Sequence, residues 1–174
     1  MNLFILSFSP QECAEMMMDK HIVKIILEAV QMLCSAKLLL DTTAESNPIL
    51  YKMAHKNHPV TKWVRESYAN YEWTLDLVDA MHDEWKYRYD HPPEKEHKSY
   101  AVAKYLRENP PPLEAFEKTG LTEFALAMPD KYKIQGNPIE SYKYYYKSKR
   151  EFASWKKRKT PSWFNRKTLI VIDE

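Results

Sequence analysis

Apolar and polar residues recur along the chain at the 3.6-residue spacing of α-helices. The first such run, residues 10–40, is apolar on nearly every side, which is typical of a central, buried helix. Ser9, Pro10 and Glu12 match a capping box with proline at the first helical position, so we predict that the helix begins here, with or without an internal break. A second long helix is predicted over residues 60–89.

Prolines separate the predicted helices. A third helix is expected over residues 99–108, before three consecutive prolines, and a last one over residues 138–158. Residues 3–8 are either a short strand or a buried extended segment, and residues 169–172 either pair with them or fray. The predicted fold class is mainly α: a compact, single-domain helical bundle of residues 1–174 with long central helices and the option of short terminal strands.

Composition narrows the class of protein further. The 174 residues are 44% apolar and 29% charged, without a run long enough to span a membrane, and the amino end lacks a basic leader. We therefore expect a soluble, cytoplasmic protein (host cytoplasm if viral) with no membrane partner and with Cys13 and Cys34 reduced. Two glycines against eleven prolines argue against Gly-rich phosphate loops, so no nucleotide motif and no cofactor are predicted.

Charge is distributed unevenly along the chain. Residues 131–167, the basic arm, hold twelve Lys or Arg against two acids, a net +10, whereas the remainder holds fourteen against twenty-two, a net −8. Tyr and Trp alternate with the cations, a combination that suits phosphate neutralisation and base stacking, so we predict nucleic-acid binding, to DNA rather than RNA. In the alternative, the rings pack on the core and the lysines only solubilise the helix. The candidate binding residues are Lys143, Tyr145, Lys147, Lys149, Arg150, Lys156, Lys157 and Arg158.

Three polar residues of the first helix, His21, Lys24 and Glu28, share one face because their spacings are three and four. A carboxylate beside a lysine and a histidine on an otherwise apolar helix is a candidate general acid or base. The alternative is the solvated side of a helix with a routine i,i+4 pair. His58 and Arg65, at the start of the second helix, are candidates for gripping an anion. No set of metal ligands stands out, and no metal is predicted.

The order of these motifs resembles the pyrimidine-dimer DNA glycosylase family of the phage endonuclease V type. The shared features are Ser9 with Glu28-Ala29-Val30, Asn57-His58-Pro59 with Trp63 and Arg65, and Tyr142-Lys143-Tyr144-Tyr145. The resemblance implies a compact helical fold that bends DNA and flips a nucleotide for chemistry at the sugar. The chain is also similar to uncharacterised tailed-phage proteins through its MDKH, NHP, HKS and AMPD patches, a similarity that carries no activity with it.

Two positions depart from the family pattern. The family attacks with the α-amine of a small residue that is exposed when the initiator Met is removed, but Asn2 disfavours that removal, so we expect this nucleophile not to carry over. Ungapped spacing places the family's catalytic Glu near His21, which leaves Glu28 as a substitute and Lys24 as a candidate amine or electrostatic stabiliser.

The leading prediction is a glycosylase-like enzyme that acts on a DNA base or its glycosidic bond. A base-modifying enzyme acting on DNA or a nucleotide would use the same groups. A non-catalytic nucleic-acid-binding protein, or a host-interaction protein with an acidic partner, would need only the basic arm.

Overall fold

The computed structural model describes residues 1–44 and 47–166. Within them, the mainly α prediction is confirmed, with six α-helices joined by short 3₁₀ turns and extended segments. No strand is present among these residues: residues 3–6 are buried but form no strand, and the predicted strand at 169–172 lies outside the described residues. The helices are α1 (Pro10–Met16), α2 (Asp19–Leu40), α3 (Pro59–Glu66), α4 (Tyr68–Arg88), α5 (Tyr100–Glu108) and α6 (Pro138–Lys147).

The first predicted helix is broken between α1 and α2. Met17 is extended, with φ −70° and ψ 140°, and the fully buried Arg88 donates to its carbonyl at 2.6 Å. The same guanidinium donates to the carbonyl of Ala14 and forms an ion pair with Asp19 at 3.2 Å. Arg88 thus satisfies carbonyls at the end of α1 that have no partner within the helix.

The prediction of one continuous helix over residues 60–89 is wrong, because the chain breaks at Ser67. The Ser67 backbone is extended, with φ −141°, and its hydroxyl caps α4 by accepting from the Asn70 amide. A distant segment causes this break: the Lys118 amide donates to the Glu66 carbonyl, and the Lys118 carbonyl accepts from the Tyr68 amide. Residues that pair with this segment cannot also complete a helical ladder.

The core lies between α2 and α4, with α1 against α4 and with α3 and α5 against α2. The inward side of α2 is completely buried and consists mainly of Ile22, Ile26, Ala29, Val30 and Leu33. Within the described chain, no helix has the length and apolar character required to cross a membrane.

The last helix is shorter than the predicted span of 138–158, because α6 ends at Lys147. The chain then turns back to the start of α2, where the Asp19 carboxylate accepts from the Ser154 hydroxyl at 2.8 Å and from the Lys156 amide at 2.9 Å. A continued helix could not make these contacts, and they fix the basic arm against the body.

Candidate active site

A cavity of about 490 Å³ opens where the amino end of the chain meets α2, the start of α3, residues 126–128 and the α6 end of the basic arm. Its walls come from five separate parts of the sequence. It contains one largely buried carboxylate, that of Glu28, together with His21, His58 and three lysines. Concave sites with convergent polar groups are the usual location of binding and catalysis.

Asn2 anchors the amino end of the chain in this cavity. Its backbone N–H donates to Oε2 of Glu28 at 3.0 Å, and its side-chain amide donates to the Ala127 carbonyl at 2.7 Å. Its Oδ1 accepts from the amides of Leu3 and Phe4, a local turn that holds Phe4 at φ +56°. A bulky residue in the left-handed region is strained, and such strain persists only where the surrounding contacts impose it.

His21 is held in one tautomer by a buried tyrosine. The Tyr146 hydroxyl accepts from the Met18 amide at 2.9 Å and lies 2.7 Å from Nδ1 of His21. Because this hydroxyl is completely buried, its proton needs an acceptor, and Nδ1 is the acceptor that the structure provides. The imidazole proton therefore resides on Nε2.

The His21 ring is also kept neutral. It stacks on Phe4 with ring centroids 4.1 Å apart. Burial, followed by the positive charges of Lys149 and Lys24, lowers the pKa of His21 from 6.5 to about 3. At neutral pH, His21 offers the cavity an uncharged ring with its N–H on Nε2.

His58 is the N-cap of α3 and accepts from the Val60 amide through Nδ1 at 3.2 Å. Its pKa lies below the usual value, mainly because of burial and then because of the positive amino terminus and His55, while Glu28 acts in the opposite direction. His58 and Glu28 line the same cavity. Met1 itself lines the cavity.

Lysines make the rim of the cavity positive. Lys24 is 71% exposed, and its Nζ lies 3.8 Å from Oε1 of Glu28, which is only 15% exposed. Lys149 lies over the rings of Tyr145 at 4.4 Å and Phe4 at 5.6 Å, and Lys133 completes the rim. A polyanion that approaches this opening meets cations before it reaches the carboxylate.

The structure brings together four of the five residues predicted to be catalytic: His21, Lys24, Glu28 and His58. Arg65 lies elsewhere, because its guanidinium donates to the Lys56 carbonyl at 2.6 Å and faces a separate depression. Among the described residues, no group of three or more His, Cys, Asp and Glu could hold a metal ion.

The basic arm is divided between the core, the cavity and surface ion pairs. Tyr142 and Tyr146 are completely buried, so the expectation that the arm's rings are available for stacking is wrong for these two. The candidates that line the cavity are Tyr145 and Lys149. Those engaged elsewhere are Lys143 beside Glu140, Lys147 on the Arg166 carbonyl, Lys156 over Tyr89, Lys157 on Asp90 and Arg158 on Glu84, whereas Arg150 is exposed.

Sequence reasoning missed several cavity residues, chiefly Met1, Phe4, Lys133 and residues 126–128. Only residues 126–128 were marked by a sequence motif, the AMPD patch, which begins at Ala127. The others come from segments whose proximity depends on the tertiary fold.

These features define a mainly α protein with acid–base groups in a positively charged cavity. The profile of the family described as pyrimidine dimer DNA glycosylase matches residues 1–97, more than half of the chain. The chain therefore belongs to the pyrimidine dimer DNA glycosylase family, whose membership implies DNA as the partner. No curated protein and no solved structure matched the chain.

Proposed function

We propose that this protein is a DNA glycosylase that receives a damaged pyrimidine nucleotide in the cavity and breaks its glycosidic bond. One observation carries the proposal: the hydrogen bond of 3.0 Å from the Asn2 N–H to Glu28 holds the chain's amino end beside a carboxylate in a basic cavity. The family match supports the substrate class, a pyrimidine dimer in DNA.

The chemistry requires a nucleophile, a proton acceptor and a cation stabiliser. A neutral amine attacks C1′ of the flipped nucleotide, a C1′–N bond forms, and the glycosidic bond breaks as the base leaves with its electron pair. Glu28 accepts the proton that the amine loses and stabilises the positive charge that develops on the sugar. The product is an aminal, because C1′ still carries O4′. The C1′–O4′ bond then breaks, O4′ takes up the proton held by Glu28 and becomes a hydroxyl, and the C1′–N bond becomes an iminium ion. Water hydrolyses this iminium ion, which releases the open-chain abasic sugar and regenerates the amine.

Met1 and three lysines line the cavity, and two of these residues have a described contact to Glu28: Met1 through the Asn2 amide, and Lys24 through Nζ. The candidate nucleophiles are therefore the α-amine of Met1 and Nζ of Lys24. We favour the α-amine, because the Asn2 peptide is bound to Glu28 and fixes the terminus, whereas Lys24 is largely exposed. An ordered nucleophile loses less entropy on reaching the transition state. This assignment differs from our sequence-based expectation that the family's α-amine nucleophile does not carry over, because here the amine is that of Met1 itself.

Borohydride trapping on a duplex containing a thymine dimer tests both statements. The expected result is a covalent protein–DNA adduct whose peptide map places the DNA on Met1, and its formation in Lys24→Gln as well. Glu28→Gln should lower turnover by about 10²-fold or more, the usual range for a general acid or base, while the exposed Glu123→Gln should not. Turnover by Glu28→Gln at the wild-type rate would refute the proposal and leave a DNA-binding role.

A further inference from the structure

Phe152 is an exposed aromatic residue close to the cavity. It ends the 3₁₀ turn Arg150–Phe152, and 55% of its surface is accessible. Its amide donates to the Lys149 carbonyl at 3.0 Å, so it lies one turn from a lysine that lines the cavity. A large apolar ring at such a position invites a functional explanation.

One lysine lies over this ring, and two further cations lie nearby in the sequence. Nζ of Lys20 lies 4.9 Å from its centroid, and Lys20 directly precedes the cavity residue His21 on α2. Lys24 follows one helical turn later, and Arg150 is exposed in the same 3₁₀ turn as Phe152. The patch therefore combines one protruding ring with a lysine in contact with it and an exposed arginine in the same turn, although that turn also contains the exposed Glu151.

This combination suits one occupant, the base stack of a DNA duplex. An apolar side chain that enters a base step unstacks and kinks the duplex, and flanking lysines and arginines bind the phosphates on either side. An apolar protein partner would instead gain little from the cations, which it would have to desolvate.

We infer that Phe152 is a wedge that enters the duplex beside the nucleotide held in the cavity. The ring takes the space that the flipped nucleotide leaves, which offsets the lost stacking, and Lys20 is released from the ring to a phosphate. This inference deepens the proposed function and rests on it for the identity of the flipped nucleotide.

The test compares Phe152→Ala with wild type on a thymine-dimer duplex that carries 2-aminopurine next to the dimer, and on the same damaged strand without its complement. We expect Phe152→Ala to reduce kcat/KM on the duplex about tenfold, because base unstacking is no longer compensated, and to remain within about twofold on the single strand. The rise in 2-aminopurine fluorescence on binding should be lost. Phe152→Trp should restore both, a rescue that a merely structural role would not predict.

Leu113→Ala is the matched control, because Leu113 is 53% exposed and begins another 3₁₀ turn, outside the cavity. Loss of the fluorescence rise in this variant, or equal losses of kcat/KM on duplex and single strand in Phe152→Ala, would overturn the wedge. A Phe152-dependent loss of binding to anionic vesicles, with DNA unstacking intact, would assign the ring to a membrane instead and overturn it as well.

The two proposals fail separately. If wild type cleaves the dimer but Phe152→Ala cleaves and unstacks the duplex equally well, the wedge is refuted and the glycosylase proposal stands. If wild type unstacks DNA through Phe152 but releases no base, the wedge stands and the glycosylase proposal is refuted. If wild type does not bind the duplex, both are refuted.

Discussion

Tyr146→Phe isolates the link between the buried core and the candidate site, because it removes one hydroxyl and leaves the ring. That hydroxyl is completely buried, accepts from the Met18 amide and donates to Nδ1 of His21. Its loss leaves a buried N–H and a ring nitrogen without their partners. An unsatisfied buried N–H costs about 1–3 kcal/mol, and the lost hydrogen bond to the part-buried His21 ring costs about 1 kcal/mol, so the free energy of unfolding should fall by roughly 2–4 kcal/mol.

A destabilisation of this size lowers Tm by roughly 5–15 °C for a chain of this length. Thermal and urea unfolding measure it. The second effect is chemical: without its donor at Nδ1, His21 is no longer restricted to the tautomer with the proton on Nε2. Nitrogen NMR of the His21 ring should show both tautomers, and turnover should fall even at temperatures where the variant is folded.

Tyr142→Phe is the control, since it lies one turn earlier on α6 and is equally buried. Its hydroxyl accepts from the Ala127 amide at 3.2 Å and donates to the Ala125 carbonyl at 2.7 Å. We expect a comparable loss of stability without any change in the tautomer of His21. If the two variants give the same His21 spectrum and the same turnover, the assignment of the Nε2 proton to the Tyr146 hydrogen bond is incorrect.

The remaining predictions concern charge. Arg88→Met should cost about 3–5 kcal/mol of unfolding free energy in denaturant titrations, because the buried Asp19 carboxylate loses its ion-pair partner and the buried Glu84 carboxylate keeps only Arg158. A loss below about 1 kcal/mol would contradict this. Folding lowers the pKa of His21 to about 3 and that of His82 to about 4, so their contribution to stability is complete above pH 6.5 and is lost as the pH falls towards 3–4. Unfolding experiments at a series of pH values check this. A free energy of unfolding that stays constant from pH 6.5 to pH 4 would refute it. Lys149→Ala should reduce the slope of the logarithm of the DNA binding constant against the logarithm of salt concentration by about 1. Arg158→Ala should leave this slope nearly unchanged, because the Arg158 guanidinium is already paired with Glu84. Equal slopes for the two variants would exclude Lys149 as a phosphate contact.

Features of the fold that depend only on residues close together in the sequence could be predicted from it. Ser9 caps α1 as expected, by accepting from the Glu12 amide, and Asn137 caps α6 in the same way, by accepting from the Glu140 amide. The breaks at Met17 and Ser67 were less accessible to prediction. Each is stabilised by groups far away in the chain, the Arg88 guanidinium in one case and residues 118–120 in the other. Local periodicity contains no information about such partners.

The candidate site likewise has some features that local sequence predicts and others that depend on distant parts of the chain. The spacing of His21, Lys24 and Glu28 on one helix predicts that they share a face, and the structure places all three in the cavity. The spacing does not predict that the Asn2 amide lies 3.0 Å from Glu28, because residues 1–5 reach α2 only through the turn made by the Asn2 side chain. Ungapped comparison with the family points to His21, whereas the carboxylate that the Asn2 amide contacts is Glu28.

The basic arm connects these observations. Its composition favours DNA binding as the role of its charge, but part of the arm is bound to the body: Asp19 accepts from the Lys156 amide, and Glu84 pairs with the Arg158 guanidinium. The family match ends at residue 97, yet the group that fixes the tautomer of His21 is Tyr146, and Lys149 is one of the charges that lower its pKa. Residues beyond the match thus determine the protonation state of a residue within it. A chain limited to the matched region would retain Glu28 and His21 but would lose the environment in which their chemistry is set.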